Sequence, residues 1–208
     1  GTGSRLNVSL FDIQTQNEIV TDFSSGGKTA YKNASQTHRQ GLELSWQQVW
    51  DKFWRSDAAL TAMRAVYDQG FSSVSVSNNV STTTTINANN RLPAIPDRLG
   101  YAALHWSQTG WGARQPMGWL ATAEWMGRSR LWANDANTYA AGGYGVVNLK
   151  LRHRQAWAGG TFEPYLGIDN LQDKPVVGSV IVNQSSKAYY EPALPRTWVL
   201  GLQAKWLL

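Results

Sequence analysis

Few residues in this chain of 208 have the types and spacing that catalysis requires. The three histidines, at 38, 105 and 153, are spread along the chain without the His-Glu-x-x-His spacing of a zinc protease. The absence of cysteine excludes a thiolate metal site and a cysteine nucleophile. No Gly-x-Ser-x-Gly elbow is present. Glu124 and Glu163 fall on predicted polar faces, but a catalytic carboxylate pair is defined by a separation in space that the sequence does not give. The sequence therefore predicts neither an enzyme nor a metal or cofactor site.

The composition indicates which class of protein this chain belongs to. Charged residues make up 16% of the chain, below the roughly 25% of soluble domains, while Trp occurs 11 times. The net charge of +5 comes from scattered Lys and Arg and predicts no nucleic-acid partner. No apolar run approaches the roughly 18 residues of a membrane-spanning helix. A barrel whose strands alternate apolar and polar residues fits this composition.

Apolar and polar residues alternate with a period of two over most of the chain, which predicts strands rather than helices. In the last segment, one face carries Trp198, Leu200, Leu202, Ala204, Trp206 and Leu208. The alternating segments predict eight strands, several longer than globular strands usually are. They are 5–22, 38–50, 56–69, 97–108, 117–132, 143–155, 160–172 and 196–207.

The predicted connections alternate strictly between long and short. The long polar ones are 23–37, 70–96, 133–142 and 173–195, and the compact ones are 51–55, 109–116 and the residues around 158–160. In an up-and-down antiparallel sheet, all long loops then lie at one end and all short turns at the other. Outer-membrane barrels have this arrangement, with long extracellular loops and short periplasmic turns.

Aromatic residues fall into two groups, one toward each end of the predicted strands. The short-turn group is Trp46, Trp50, Trp54, Trp106, Trp111, Trp119, Trp157 and Trp206. The long-loop group is Trp125, Trp132, Tyr139, Tyr144, Tyr189, Tyr190 and Trp198. Two aromatic bands are typical of the two interfaces of a transmembrane barrel. A soluble lipocalin-like barrel with tryptophans in its core is the alternative.

Several segments resemble a known family. Residues 33–44, with Gly41 and Glu43, resemble an "N-x(n)-G-x-E" strand of the barrels of TonB-dependent outer-membrane receptors. Residues 148–149 and 167–174 are similar to that family's penultimate strand, with Gln172 in place of an aromatic residue. Residues 195–198 resemble its "P-x-R" entry into the last strand, although the chain ends in Leu where many members end in Phe.

The resemblance, over residues 5–208, implies an all-β, antiparallel, up-and-down transmembrane barrel. Residues 1–208 would be one barrel segment, the last eight of 22 strands, without the plug domain. Its unpaired edges would meet missing strands, pair with another chain, or close by pairing 6–21 with 198–206. The chain opens without an initiator Met, which suggests a mature product or a fragment.

The resemblance also implies a function: uptake of a scarce nutrient, such as an iron–siderophore complex, across the outer membrane of a Gram-negative cell. The long external loops would bind the small-molecule ligand, with the C-terminus periplasmic. Implied partners are outer-membrane lipid, the barrel assembly machinery and, through missing parts of the receptor, the plug and TonB. The alternatives are a small structural or adhesive outer-membrane barrel and the soluble ligand-binding barrel.

Four residues are candidates for ligand contact within this interpretation. Arg128 and Arg130 lead into the third long loop, where they would attract an anionic chelate. Tyr189 and Tyr190 would stack on a planar ligand. Ordinary lumen or interface arginines and membrane-interface tyrosines are the competing interpretations.

Overall fold

A computed structural model of the chain describes residues 2–25, 28–77, 79–112, 116–157 and 159–206. These residues form strands without a helix, and none of them belongs to a helix able to cross a membrane. The strands are β1 (Gly3–Ser25), β2 (Lys28–Val49), β3 (Trp54–Tyr67), β4 (Phe71–Ser77), β5 (Val80–Ile86), β6 (Arg98–Ser107), β7 (Gly118–Arg128), β8 (Leu131–Trp132), β9 (Ala140–Ala141), β10 (Tyr144–Trp157), β11 (Gly160–Asp169), β12 (Val177–Val180), β13 (Tyr190–Pro192) and β14 (Thr197–Trp206).

Eight long strands form an antiparallel meander, as the sequence predicts. We call these eight the staves: β1, β2, β3, β6, β7, β10, β11 and β14. Each pairs with the next along the chain in a ten-stranded sheet of order β14-β11-β10-β7-β6-β3-β2-β1-β4-β5. The described residues contain no pairing between β1 and β14. The staves therefore form an open curved wall, and closure of 6–21 on 198–206 is not found.

The prediction of a long polar loop over 23–37 is wrong. The β1–β2 ladder continues past it, with Thr21 opposite Tyr31 and Phe23 opposite Ala30. β-branched and aromatic residues suit a strand, and the paired residues gain backbone partners across the hairpin. Register shifts between Thr15 and Glu18 absorb irregularities in the long ladder.

The other three long loops carry short hairpins of their own. Segment 70–96 contains β4 and β5, segment 173–195 contains β12 and β13, and β8 pairs with β9 beside 133–142. β4 also pairs in parallel with the tip of β1, where Phe23 lies opposite Val74. The loops are therefore ordered structures attached to the wall.

The two faces of the wall differ in chemistry. We call the side with the Leu and Trp side chains the apolar face. Across it run rows of register partners such as Leu6, Trp46, Ala58, Ala102 and Trp125. The opposite side, the polar face, carries rows such as Gln47, Asp57, Ala103, Glu124 and Asn148. The polar face also holds the charged side chains of 150, 152 and 205.

Exposure of large apolar side chains confirms that the apolar face has no protein covering it. Leu10 is 80% exposed and Leu200 is 81% exposed. On β2 the apolar stretch runs from Leu42 to Trp46, and it ends at Gln40 and His38, which belong to the same face. Large uncovered apolar side chains in adjoining rows are typical of a surface that contacts a protein partner or a membrane.

The short-turn end is bordered by tryptophans in register, as predicted. Trp54 lies opposite Trp106, and the rings of Trp157 and Trp206 are 6.2 Å apart. Trp46 and Trp50 meet edge to face at 5.8 Å. The predicted band at the long-loop end is only partly found, because some of its aromatic residues pack inside the loops instead of on the surface.

Candidate functional site

The long loops converge at one end of the wall, around a small apolar core. Buried Val20, Ala65, Tyr67, Ile86 and Leu92 pack together there. The ring of Tyr67 meets that of Phe71 edge to face at 5.1 Å. We call this core and segments 87–97, 131–142 and 173–195 the loop cluster. It contains buried apolar side chains from β1, β3 and β5, whereas the large side chains on the apolar face of the wall are exposed.

Asp135 joins three parts of the loop cluster. It is 5% exposed, and its Oδ1 accepts a hydrogen bond from the Tyr67 hydroxyl at 2.8 Å. Its Oδ2 accepts from Asn183 Nδ2 at 2.8 Å, while its backbone N–H donates to Asn183 Oδ1 at 3.0 Å. Asn90 Nδ2 donates to its carbonyl at 2.9 Å. One buried carboxylate thus ties the end of β3 to the last long loop, and its carbonyl binds segment 87–97.

Asn137 makes a second joint between loops. Its Oδ1 accepts from the backbone N–H of Arg91 at 2.6 Å, and its Nδ2 donates to the Arg91 carbonyl at 2.8 Å. The backbone N–H of Asn183 donates to the Ala133 carbonyl at 3.0 Å. Asn137 and Asn183 have φ of 56° and 55°, a conformation that Asn adopts more readily than most residues. Asparagine therefore serves both the turn and the contact between loops.

Burial raises the pKa of the Asp135 carboxyl, although the hydrogen bonds from Tyr67 and Asn183 act in the opposite direction. The ionised form loses water, and the two donors replace part of that solvation. Burial thus disfavours the charged carboxylate, and its hydrogen-bond partners hold it in place. This is typical of a buried polar residue with a structural role.

The two candidate arginines differ in surroundings. Arg128 Nη2 donates to the Val177 carbonyl at 2.6 Å, and Nη1 donates to the Ser129 carbonyl at 3.0 Å. Its guanidinium lies 4.8 Å from the centre of the Tyr144 ring. Arg130 is exposed, with its guanidinium 5.4 Å from the Trp132 ring centre. Arg128 thus links the end of β7 to β12, whereas Arg130 faces outward.

The candidate tyrosines differ in the same way. Tyr189 is 6% exposed, its ring centre is 4.9 Å from that of Tyr139, and burial raises its pKa. Tyr190 is 46% exposed and donates from its hydroxyl to the Ala140 carbonyl at 3.2 Å. Lys187 lies 6.0 Å from the Tyr139 ring. Tyr189 is packed between loops, and Tyr190 presents part of its ring to solvent.

The polar face holds a network of charges near the short-turn end of the wall, one position from the pair of Trp54 and Trp106. His105 Nδ1 lies 3.0 Å from Thr122 Oγ1, and Nε2 lies 2.9 Å from Asp57 Oδ2 without the alignment of a hydrogen bond. Arg55 Nη2 is 3.1 Å from the same Asp57 oxygen. The Arg55 guanidinium stacks 4.9 Å from the Trp111 ring centre, which brings the β6–β7 turn against this face. The network pairs its charges internally.

A second charge cluster lies on β10 and β11. Glu163 is 6% exposed; Arg154 Nε binds one of its oxygens and Arg152 Nη1 lies 3.5 Å from the other. Lys150 lies 5.7 Å from the Tyr165 ring centre. Two arginines for one carboxylate leave this part of the polar face positive. Among the described residues no three metal-ligating side chains cluster.

All four candidate residues could be named from the sequence, but the residues that hold them in place could not. The hydrogen bond between Tyr67 and Asp135 joins residues 68 positions apart, and the one between Asp135 and Asn183 joins residues 48 positions apart. A single sequence carries no signal for such a contact. The one available hint is the density of Asn in the long loops, since Asn favours positive φ.

The comparisons with known proteins agree with this architecture. A family model described as "TonB dependent receptor-like, beta-barrel" matches residues 1–171. Over 96% of this chain, the fold is similar to the siderophore receptor PiuA from Acinetobacter baumannii, with 19% identity and a TM-score of 0.72. The ferric yersiniabactin uptake receptor FyuA from Yersinia pestis gives 16% identity and a TM-score of 0.69 over 96%.

A third similar structure is BauA, the ferric preacinetobactin receptor of Acinetobacter baumannii, with 13% identity and a TM-score of 0.68 over 97% of this chain. The match covers 26% of the PiuA chain, and 27% of each of the other two. This chain thus spans about a quarter of the length of the structures it matches. At these identities the likeness is one of fold.

Proposed function

This chain belongs to the TonB-dependent receptor β-barrel family, and from that premise we propose that it supplies the last eight strands of an outer-membrane receptor. The receptor takes up a scarce nutrient such as an iron–siderophore complex. The observation that carries the proposal is the open meander of eight staves, with an uncovered apolar face, a charged polar face and interlocked loops at one end. The printed names of the three similar structures support a ferric complex as the ligand.

The apolar face would contact lipid, and the polar face would line the lumen. The loop cluster would then lie outside the cell, and β14 would end at the periplasmic interface, where Trp206 packs beside Trp157. This orientation is supported by the lengths of the connections, since outer-membrane barrels have short periplasmic turns and long extracellular loops. The remaining strands, the plug and the TonB contact would come from other parts of the receptor.

We assign two of the four candidate residues to contact with the ligand and the other two to positioning those contacts. Arg130 and Tyr190, both exposed, would contact the ligand: the guanidinium would pair with an anionic chelate and the ring would stack on a planar group. Arg128 and Tyr189 would position them, because their polar groups and ring faces are engaged between loops. The receptor would make and break no covalent bond; its work is binding and plug-gated passage.

Two other functions fit the observations less well. A small structural or adhesive barrel of eight staves would have to close, and no β1–β14 ladder occurs among the described residues. A soluble lipocalin-like barrel would enclose its leucines, whereas Leu10 and Leu200 are almost fully exposed. Both facts favour a segment of a larger membrane barrel.

The test is uptake by the complete receptor that contains this segment. The receptor would be expressed in a Gram-negative strain lacking its own siderophore receptors, and uptake of radiolabelled iron would be measured across a panel of ferric siderophores. We expect one class of complex to enter in a TonB-dependent manner. Uptake of none of the panel, by a receptor that migrates as a folded barrel, would refute the ferric-complex proposal.

The ligand contacts are tested in the same assay. Arg130→Gln and Tyr190→Ala are expected to raise the concentration for half-maximal uptake by about tenfold each, as loss of one charge-assisted or stacking contact predicts. Lys28→Gln removes an equal charge at the exposed tip of β2 and serves as the control. Unchanged uptake by both site variants would remove these residues from the ligand site while leaving the receptor function standing.

A further inference from the structure

The apolar face is not uniformly filled, because a groove crosses it between β2 and β7. Its volume is about 600 Å³. Its walls include Leu44, Trp46 and Trp125, and its floor includes Ala58, Gly100 and Gly127. Register explains its shape, since Ala58 on β3 and Ala102 on β6 stand in one row between Trp46 on β2 and Trp125 on β7.

Glycines set the depth of the groove at its β7 side. Gly100, Gly127 and Gly145 are register partners on β6, β7 and β10, and the indole of Trp125 lies across all three. A Cβ atom at Gly100 would stand 2.7 Å from Trp125 Cζ3, and one at Gly145 would stand 2.8 Å from Trp125 Nε1. The ring therefore lies flat on the sheet instead of projecting, and it leaves the groove open.

The groove has a cationic end. Arg98, at the start of β6, and Ser129 border it on the side of the long loops. The Arg98 backbone N–H donates to Ser129 Oγ at 3.0 Å, but among the described residues its guanidinium has no hydrogen bond or ion pair. The nearest acid in sequence, Asp97, is already paired with Arg91 at 3.1 Å. A free guanidinium thus stands where the apolar face ends.

We propose that this groove holds an acyl chain of a phosphate-bearing membrane lipid, with the lipid phosphate bound by Arg98. An acyl chain matches the carbon-lined floor and walls, and a phosphate matches the guanidinium, which binds such oxyanions in a bidentate manner. The height is consistent, because Arg98 shares its row with Ala62 and Leu42, where the apolar stretch of β2 ends, and so lies at the headgroup end of the apolar face. The proposal rests on the proposed membrane function only in requiring that the apolar face meets lipid.

The missing strands of a larger barrel would not occupy this groove. They would join the sheet at β1 and β14, whereas the groove lies on the outer surface between β2 and β7. Protein could cover it only by stacking against the face, as a second copy would. The unpaired Arg98 favours an anionic occupant over a second copy, whose own Arg98 would bring a like charge to the interface.

The experiment measures lipid retention by the complete receptor in a non-ionic detergent, using native mass spectrometry. Phosphatidylglycerol and diacylglycerol with identical acyl chains are the two probes, since only the first carries a phosphate. We expect phosphatidylglycerol to be retained about tenfold better, with one molecule in the most strongly retained species. Arg98→Gln is expected to remove this preference, and Ala58→Leu, which fills the groove floor, to lower retention of both lipids several-fold.

Two matched controls separate the groove from the rest of the protein. Arg5→Gln makes the same change on the polar face, and Ala121→Leu makes the same change on the apolar face outside this groove. Both are expected to retain lipid as the unmodified receptor does. Equal retention of the two lipids by the unmodified receptor, or an unaltered preference in Arg98→Gln, overturns the proposal.

A receptor dimer that Ala58→Leu dissociates would also overturn it, since the occupant would then be a second copy. Heat-dependent migration on gels and ferric uptake are measured on every variant. A folded, transporting receptor without lipid preference refutes the lipid site alone, whereas loss of the folded form throughout refutes the membrane barrel itself.

Discussion

The wall and the loop cluster are stabilised in opposite ways. In the wall, each stave gains its partners from a regular backbone ladder, and the large side chains of its apolar face remain uncovered. In the loop cluster, single side chains such as Asp135 and Asn137 hold irregular segments together from buried positions. The wall therefore depends mainly on the polarity of its side chains, while the loop cluster depends on individual atoms. The predictions below test that difference.

The largest effect is expected from a charge on the apolar face. Leu151, on β10 between Ala121 and Leu166, is 41% exposed. Leu151→Arg in the complete receptor should lower the free energy of unfolding in lipid by about 2–4 kcal/mol, because the guanidinium must enter hydrocarbon. Gln203→Arg, on the polar face opposite Glu163, should cost little. Equal losses from the two changes in urea titrations would show that the faces do not differ.

Next in size is removal of the buried carboxylate. Asp135→Ala leaves Tyr67 and Asn183 without their acceptor, at about 1–3 kcal/mol for each orphaned group. The loss should be local, so hydrogen exchange should accelerate in 131–142 and 173–195 while the wall stays protected. Ser185→Ala, an exposed change in the same loops, is the control. Acceleration across the staves would mean that the two regions unfold together.

A smaller loss of stability is expected at Gly100, a position in the wall where the fit of a side chain matters. Gly100→Ala places a methyl group against the Trp125 ring and should cost about 1–3 kcal/mol. Trp125→Leu should remove most of that cost, so a double-mutant cycle should report coupling between the two positions. Gly142→Ala, at a position with open space, is the control. Additive effects would show that the ring has no need of the glycines.

The smallest effect concerns pH in the loop cluster. Burial raises the pKa of Asp135 above 3.8, so the folded form keeps a proton that the unfolded segment releases between the two values. The stability from this proton is complete below 3.8 and is lost as pH rises through the raised pKa. Intrinsic-rate-corrected exchange in 131–142 should therefore be slower at pH 4 than at pH 7. Asp135→Asn should flatten this dependence, and a slope of opposite sign would contradict it.

The same difference decides how much of the molecule the sequence could predict. A period of two is a property of neighbouring residues, so all eight staves and the other three long connections were predictable. The extension of β1 and β2 through 23–37 was missed because most residues of that segment are polar or glycine, which is typical of a loop. β4 was missed although Val74 and Val76 alternate with serines, since a Ser- and Thr-rich segment is typical of a loop.

The loop cluster was beyond prediction for a physical reason. The hydrogen bond between Tyr67 and Asp135 joins residues 68 positions apart, and no local pattern encodes it. Arg128 and Tyr189 were named for residue type, but whether such a side chain is free or engaged depends on which carbonyls and rings come near it. Their role in ligand binding stays a prediction.

The joints between loops have a consequence for how ligand preference can change. Exchanging segment 133–142 alone for that of another receptor would strip Tyr67, Arg91 and Asn183 of their partners at once. Single-loop grafts should therefore yield misassembled, protease-sensitive surfaces, and a working chimera should need at least two loops transplanted together. Natural diversification of this surface should accordingly proceed by blocks of co-inherited loops rather than one loop at a time.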